Sequence, residues 1–276
     1  FYNEPFAPNW MFSNMLHSAY ADRQGNLWLA TRSCGLEKVI FYDSKFKTIH
    51  VNSNIHSAVN NDVRPIFQDS EKNIWIATKD EKIHIYDQNM QKKGILTKDG
   101  IIGEGPSLAG SAYCIMEDSK KNIWIGTKGK GVYKLIRKKN PNTFEIHPIQ
   151  HNPHNPFSLS NDNIYSIFED KNGNIWIGTY GGGLNLIRGG DEKSGIINGN
   201  NNLKNYPLKQ GAQVRILSAD KHGNIYVGTT FGLIVFDENF TKPEEIVFRV
   251  YLRKDRANSI GGNDIFDICT TKSGDT

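Results

Sequence analysis

The sequence is poor in the features that mark membrane, metal-binding and nucleic-acid-binding proteins. It has no run of about 18 apolar residues, and its first residues lack the basic, apolar and small-residue order of a secretion signal. Its three cysteines, Cys34, Cys114 and Cys269, lie far apart and form no CxxC pair, so we expect small buried apolar side chains there. The basic residues are scattered along the chain, and the net charge is +4. This distribution does not favour nucleic-acid binding.

The strongest positive signal is an internal repeat of about 50 residues. A motif that starts at Asp and ends at Thr recurs five times, at 22–31, 69–78, 118–127, 170–179 and 220–229. Each copy carries a large aromatic residue six positions after its Asp, namely Trp28, Trp75, Trp124, Trp176 and Tyr226. A sixth copy begins at Asp264.

Each copy predicts four short strands joined by turns, which is the pattern of one propeller blade. The sequence therefore predicts an all-β chain, a β-propeller of four-stranded blades with about five complete blades and part of a sixth. The expected blades cover residues 12–52, 60–98, 110–150, 161–208, 211–253 and, in part, 262–276. No stretch of useful length has the 3.6-residue period of a helical solenoid.

The repeated residues have structural explanations. The Asp carboxylate can accept hydrogen bonds from the turn that follows it, while Gly25, Gly173 and Gly223 supply positive φ angles. Lys72 and Lys121 take that glycine position in the second and third copies. Because a blade lies between two neighbours, we expect its inner strands to be buried on both faces, as in Val63, Ile66 and Phe67 or Ile164, Ile167 and Phe168, and its tryptophan to be buried.

These motifs closely resemble the two-component regulator propeller repeat. The match is closest at Ile164 to Leu186, which includes the apolar strand, Asp170, a Gly-Asn turn, Ile-Trp-Ile-Gly-Thr and Gly-Gly-Leu, and it extends over essentially the whole chain. The linker from His151 to Ser160 is also similar to the family's connection between blades.

The resemblance implies a periplasmic sensor region of a hybrid histidine kinase, of the kind that gut bacteria use to detect glycan fragments. Such propellers have seven blades, so the chain is expected to be a fragment of one. Kinase activity and membrane attachment would reside in regions outside this chain, and the full-length sensor would be a homodimer. No phosphoacceptor helix, ATP-binding lid or receiver aspartate cluster is recognisable in these residues.

Two columns of variable residues are the candidate ligand site, because propellers usually bind where the first strands enter the central channel. The residue five before each motif Asp is His17, Arg64, Tyr113, Tyr165 and Arg215, with Phe266 in the sixth copy. The residue after each motif Thr, which should face the same end, is Arg32, Lys79, Lys128, Tyr180 and Thr230. Aromatic rings can stack on sugars and arginine forks suit carboxylate or sulfate groups, which favours an anionic oligosaccharide. Solvated cations and packed tyrosines are the alternative interpretation.

Other patterns are weaker. The Asp motif is similar to the Asp-box of sialidases, but that box places Gly two residues after Asp, whereas here the gap is three. His151 and His154 lie in a Pro/Asn linker without a third ligand nearby, so we predict neither metal nor other cofactor. Gly181 to Gly183 is predicted to be a turn between strands and not a phosphate loop. The Gly/Asn-rich stretch 189–205 is expected to be an exposed excursion.

The first functional hypothesis is a ligand-sensing propeller without enzymatic activity of its own. A propeller scaffold for protein or dimer contacts, and a propeller hydrolase or lyase, remain as the second and third.

Overall fold

A computed structural model describes residues 16–23, 26–31, 36–39, 51, 61–203, 206–207, 213–254 and 259–269. The chain divides into two units, residues 1–61 and 62–276. In the described ranges, the strands are β1 Leu16–Ala21, β2 Leu27–Thr31, β3 Leu36–Val39, β4 Val63–Gln68, β5 Ile74–Thr78, β6 Ile83–Tyr86, β7 Lys92–Leu96, β8 Ile102–Gly103, β9 Ser111–Glu117, β10 Ile123–Lys128, β11 Val132–Arg137, β12 Phe144–Ile149, β13 Ile164–Glu169, β14 Ile175–Thr179, β15 Gly183–Ile187, β16 Ile197–Asn198, β17 Val214–Ala219, β18 Asn224–Thr229, β19 Gly232–Asp237 and β20 Arg249–Tyr251. Short 3-10 helices lie at Arg188–Gly190, Glu192–Ser194 and Pro243–Glu245.

Strands that follow one another in the chain pair antiparallel within each sheet. The first unit contains the three-stranded sheet β1–β3, and the second contains the sheets β4–β8, β9–β12, β13–β16 and β17–β20. The all-β propeller architecture expected from the sequence is confirmed, while the number of blades stays a prediction. Strand β8 at Ile102–Gly103 adds a fifth strand to its sheet, beyond the predicted blade end at residue 98.

The Asp of the repeat organises the turn between the first two strands of each sheet. In the fourth copy the Asp170 carboxylate accepts the backbone N–H of Asn174 at 2.9 Å, the Asn174 side-chain amide at 2.9 Å and the Trp176 indole N–H at 2.9 Å. In the first three copies the equivalent Asp accepts the indole N–H of its Trp, and in the fifth copy it accepts the Tyr226 hydroxyl. The predicted turn bonds are confirmed, and the bond to the aromatic residue is an addition that explains its fixed distance from Asp.

The cores between neighbouring sheets bury three of the motif tryptophans, as predicted, whereas Trp28 is partly exposed. Trp75, Trp124 and Trp176 have no exposed surface. The glycine of the Ile-Gly-Thr run makes this packing possible, because a Cβ on Gly178 would lie 2.4 Å from Val214 of the next sheet. The two sheets therefore approach each other closely at Gly178.

A second repeated contact joins the turns of neighbouring sheets. The carboxylate of Glu169 accepts the backbone N–H of Ser119 at 2.7 Å and its hydroxyl at 2.7 Å, and Glu117 binds Ser70 in the same way. We call this contact the Glu–Ser clasp. Because each clasp links residues about 50 positions apart, it fixes the spacing of neighbouring sheets at the Asp turns.

The excursion of the fourth sheet, described over 189–203, is exposed at some positions and packed at others, so the expectation that it is exposed was wrong in part. Ile196, Asn198, Asn201 and Leu203 are buried. The Asn201 amide donates to the carbonyls of Pro156 at 2.8 Å and Ile196 at 2.7 Å. Asparagine side chains thus replace the strand hydrogen bonds that the Gly-rich sequence does not make.

Two further expectations were wrong in part. Val63 and Ile66 of β4 are 37% and 67% exposed, because within its unit the sheet β4–β8 has a neighbouring sheet on one face only. Cys269 is exposed, whereas Cys114 packs against a buried cluster, and burial raises the pKa of its thiol to about 12. Cys34 lies outside the described residues.

In the described part of the chain, no helix combines the length and the apolar character needed to cross a membrane.

Candidate functional site

The first strand of each sheet contains a β-bulge, and the bulged residue is the candidate residue five before the motif Asp. The register shifts between Ile164 and Ser166 in β13 and between Val214 and Ile216 in β17, so Tyr165 and Arg215 have no ladder partner. The shift in the strand pair β9 and β10 leaves Tyr113 unpaired in the same way. A bulge turns a side chain out of the regular alternation and is frequent beside binding sites. This explains why a polar or aromatic column lies between apolar ones.

The second candidate column is brought to the same end of the sheets by main-chain hydrogen bonds. The N–H of Lys79 donates to Asp62 O at 3.0 Å, and the N–H of Tyr180 donates to Asn163 O at 2.8 Å. Thr230 N–H donates to the Gln213 carbonyl at 3.1 Å. In these three sheets the residue after the motif Thr therefore lies beside the start of the first strand.

The two columns meet in a continuous group of rings and cations. The Arg64 guanidinium lies 5.3 Å from the centre of the Tyr113 ring, and Tyr113 lies 4.7 Å from Tyr165. Tyr165 stacks on Tyr180 at 4.8 Å with an interplanar angle of 25°. We call Arg64, Tyr113, Tyr165, Tyr180 and Arg215 the cation–tyrosine row.

Arg215 belongs to this row through its charge. Burial and the neighbouring Tyr113 raise the pKa of Tyr165, and Arg215 acts in the opposite direction. The guanidinium of Arg215 also lies 4.3 Å from the centre of the exposed Phe266 ring. The row thus extends from the second sheet to the sixth copy of the repeat.

Each arginine of the row is held by an aspartate that sequence reasoning missed. Arg64 donates through Nη2 to Asp62 at 3.2 Å, and Lys79 Nζ lies 3.7 Å from the same carboxylate. Arg215 donates to Asp264 through Nε at 2.8 Å and Nη2 at 3.3 Å. Both aspartates lie two residues before a member of the first candidate column, a signal that the sequence does contain. The ion pairs orient the guanidinium groups and leave Nη1 of Arg215 for another acceptor.

The packing of the tyrosines changes the chemistry expected of them. Because Tyr165 lies against both Tyr113 and Tyr180, a sugar ring that stacked on it would have to displace one of these contacts. The phenol hydroxyls and the guanidinium N–H groups are the parts of the row that suit a polar ligand. The row is therefore better built for hydrogen bonds to oxygen atoms than for stacking on sugar faces.

The remaining candidates are less closely connected. Lys79 and Lys128 are exposed, and Lys128 pairs with Ser111 at the end of β10. His17 is an exposed residue at the bulge of β1, in the unit of residues 1–61. Arg32 lies outside the described residues. The role of all these residues in binding stays a prediction.

The family model of the two component regulator propeller matches residues 57–80, 107–129 and 158–181. None of the curated proteins compared with this chain matches it significantly. The matched segments contain the first strand, the Asp turn and the second strand of three consecutive sheets.

Solved structures share the fold at low sequence identity. The extracellular domain of a hybrid two component system from B. thetaiotaomicron is 16% identical with a TM-score of 0.56, over 96% of this chain and 37% of that chain. PorZ of the type-IX secretion system from Porphyromonas gingivalis is 16% identical with a TM-score of 0.57, over 92% of this chain and 35% of that chain. Virginiamycin B lyase from Staphylococcus aureus is 10% identical over 84% of this chain and 69% of that chain, and its TM-score of 0.47 is too low to support a comparison.

The chain spans about a third of the length of the first two structures. At 16% identity their likeness concerns the fold, whereas the matched repeats concern the family. The chain is a β-propeller protein, and three of its repeats, at 57–80, 107–129 and 158–181, match the two component regulator propeller family.

Proposed function

We propose that this chain is the ligand-sensing propeller segment of a periplasmic hybrid two-component sensor and that it binds an oligosaccharide with acidic groups. The repeats of the two component regulator propeller family support the sensor class. The likeness to an extracellular domain of a hybrid two component system is consistent with a location outside the cytoplasm. The ligand would act on a kinase outside this chain.

The observation that carries the proposal is the bulged column of first-strand residues. Its members vary among His, Arg, Tyr and Phe, while the Asp and Trp beside them recur for structural reasons. In a repeat protein, positions that the fold does not require are those available for recognition. The bulges direct these side chains to one end of the sheets. At that end Tyr165 contacts Tyr113 of the sheet β9–β12 and Tyr180 of its own sheet.

The charges of the row favour an acidic ligand over a neutral one. Arg64 and Arg215 each retain guanidinium N–H groups that their aspartates do not occupy. A carboxylate or sulfate would accept these N–H groups in a charge-assisted hydrogen bond, while sugar hydroxyls would exchange hydrogen bonds with the tyrosine hydroxyls. Since the motif aspartates are engaged with Asn and Trp side chains, we propose binding without chemical conversion.

The test is calorimetric titration of the complete sensor ectodomain with a panel of neutral and acidic oligosaccharides. We expect the acidic members to bind, and Arg64→Ala or Arg215→Ala to weaken binding by about tenfold or more, because a hydrogen bond to a charged group contributes about 1.5–3 kcal/mol. Tyr165→Phe keeps the ring contacts and removes the hydroxyl, so it separates recognition from packing. Lys138→Ala, at an exposed lysine beyond the opposite end of β11, is the matched control.

Unchanged affinity in both arginine variants would show that the row is not the binding site. Release of shortened sugars from the same panel would contradict the proposal of binding without conversion.

A further inference from the structure

A groove of about 910 Å³ lies at the opposite end of the sheets from the cation–tyrosine row. It is formed by the sheets β13–β16 and β17–β20, next to the Asp turn of the former. Asn172 and Arg188 line it from the first of these sheets, and Phe240 and Arg249 line it from the second. A groove of this size accommodates a small organic molecule.

The groove lies where the repeated Glu–Ser clasp between neighbouring sheets is absent. The two preceding pairs of sheets are linked by a Glu–Ser clasp. Between the sheets β13–β16 and β17–β20, Lys171 stands at the serine position and Ala219 at the glutamate position. Glu238, from the loop after β19, links these two sheets instead. Its carboxylate accepts a hydrogen bond from the Lys171 backbone N–H at 3.2 Å, and its carbonyl accepts one from the Asn172 side-chain amide at 3.0 Å. The contact between the sheets is thus rebuilt from a different loop, and this loop continues directly into the residues that line the groove.

The two groove arginines differ from those of the row. Arg188 is positioned by the Thr241 carbonyl, which accepts from Nη1 at 3.3 Å, and by the Phe240 ring, whose centre lies 5.8 Å from the guanidinium. Arg249 makes a long hydrogen bond of 3.4 Å to Asn224. In the part of the chain that the structure describes, neither guanidinium forms an ion pair with a carboxylate. Both therefore remain available to an anion.

The carboxylates of the same groove are engaged within their own loop. Asp237 Oδ1 accepts the backbone N–H of Asn239 at 2.8 Å and its side-chain amide at 2.9 Å. Glu245 Oε2 accepts the backbone N–H of Lys242 at 3.3 Å. These bonds reduce, without removing, the negative potential that Asp237 and Glu245 exert on a ligand.

We infer that this groove is a second binding site, separate from the cation–tyrosine row, for a small organic molecule with at least two carboxylate groups or one carboxylate on a sugar ring. Arg188 and Arg249 bind the carboxylates through their forked N–H groups. The apolar carbon atoms of the ligand pack against Phe240 and the buried Ile246, which also line the groove. This site does not depend on the function proposed for the row.

The experiment titrates the chain with citrate, glucuronate and glucose and follows backbone amide signals by NMR. Citrate and glucuronate distinguish an acyclic polycarboxylate from a sugar acid, and glucose is the neutral control. We expect saturable binding of at least one anionic probe, with the largest shifts at Asn172, Asn239 and Thr241. Glucose should cause no such shifts.

Variants decide whether the arginines are responsible. Arg188→Gln and Arg249→Gln should each raise the Kd by about tenfold or more. Arg253→Gln, at an exposed arginine outside the groove lining, should leave the Kd unchanged, and Arg215→Ala, in the row, should leave unchanged the Kd that is measured from the groove signals of Asn172, Asn239 and Thr241. Arg188→Lys keeps the charge and should give an intermediate affinity, which tests the site even if the glutamine variant folds poorly.

No saturable binding of either anion would overturn the inference. An equal loss of affinity in Arg253→Gln would do the same, since it would indicate binding to surface charge in general. Loss of binding in Arg215→Ala would assign the anion to the row instead.

Discussion

The close approach between two sheets at Gly178 can be tested by adding one methyl group. Gly178→Ala places a Cβ atom 2.4 Å from Val214 Cγ1 and 3.0 Å from Val214 Cβ. Carbon atoms in contact are normally about 3.5–4.0 Å apart, so the two sheets would have to move by roughly 1 Å or Val214 would have to leave its rotamer. No positive φ angle at Gly178 is involved, and the strain is therefore purely one of space.

Overpacking of this kind costs about 1–3 kcal/mol, and the smaller unfolded-state entropy of alanine offsets about 0.5 kcal/mol of that. Val214→Ala alone should cost about 2 kcal/mol, because two methyl groups leave the core. The double variant should be less destabilised than the sum by about 1 kcal/mol or more, since the new methyl group fills the space that Val214 vacates. The chain itself offers a precedent: Ala77 takes the glycine place in β5, Ala112 takes the valine place in β9, and both are buried in one cluster.

The assay is urea unfolding followed by tryptophan fluorescence, with the midpoint and the slope compared across the four proteins of the cycle. Equal slopes are required before midpoints are converted to free energies. Strict additivity of the two substitutions, or a stable Gly178→Ala protein, would refute the close approach of these sheets.

Two further predictions concern the Asp turn. Lys121→Gly should raise the melting temperature, because Lys121 has a φ of 68°, where a residue with a side chain is strained by about 1–2 kcal/mol. Glycine relieves this strain but loses more chain entropy on folding, which offsets part of the gain. A lower melting temperature would contradict the prediction. Burial raises the pKa of Asp220, but hydrogen bonds from Asn224 and Tyr226 outweigh it and lower the pKa to about 2, from the usual 3.8. The ionised Asp220 therefore stabilises the fold fully above pH 3.8, and this stabilisation is lost as the pH falls towards 2. Tyr226→Phe should raise the Asp220 pKa and move acid unfolding to higher pH, measured by carboxyl carbon NMR titration; an unchanged pKa would show that the hydroxyl bond does not form in solution.

The repeat and its structural residues could be read from the sequence because they depend on local chemistry. Asp followed by a turn and Trp predicts strands, a turn and a buried ring, and each was found at Asp170 and Trp176. Periodic signals of this kind survive in every copy, so chance similarity is a poor explanation.

The rest depended on contacts between distant residues. The bulge at Tyr165 follows from how two strands align, which residue types alone do not specify. The ion pair of Arg215 with Asp264 joins residues 49 positions apart, in different copies. The burial of the excursion follows from Asn201 bonding to the linker carbonyl of Pro156, 45 residues away. Polar composition predicted an exposed loop because it does not reveal that such partners exist.

The bulges have a consequence for how such proteins diversify. A residue that takes no part in the strand ladder can be exchanged without shifting the pairing on either side of it, so selection acts on it almost independently of folding. A library randomised at Tyr113, Tyr165 and Arg215 should therefore retain most of its members as folded proteins while their preferences diverge.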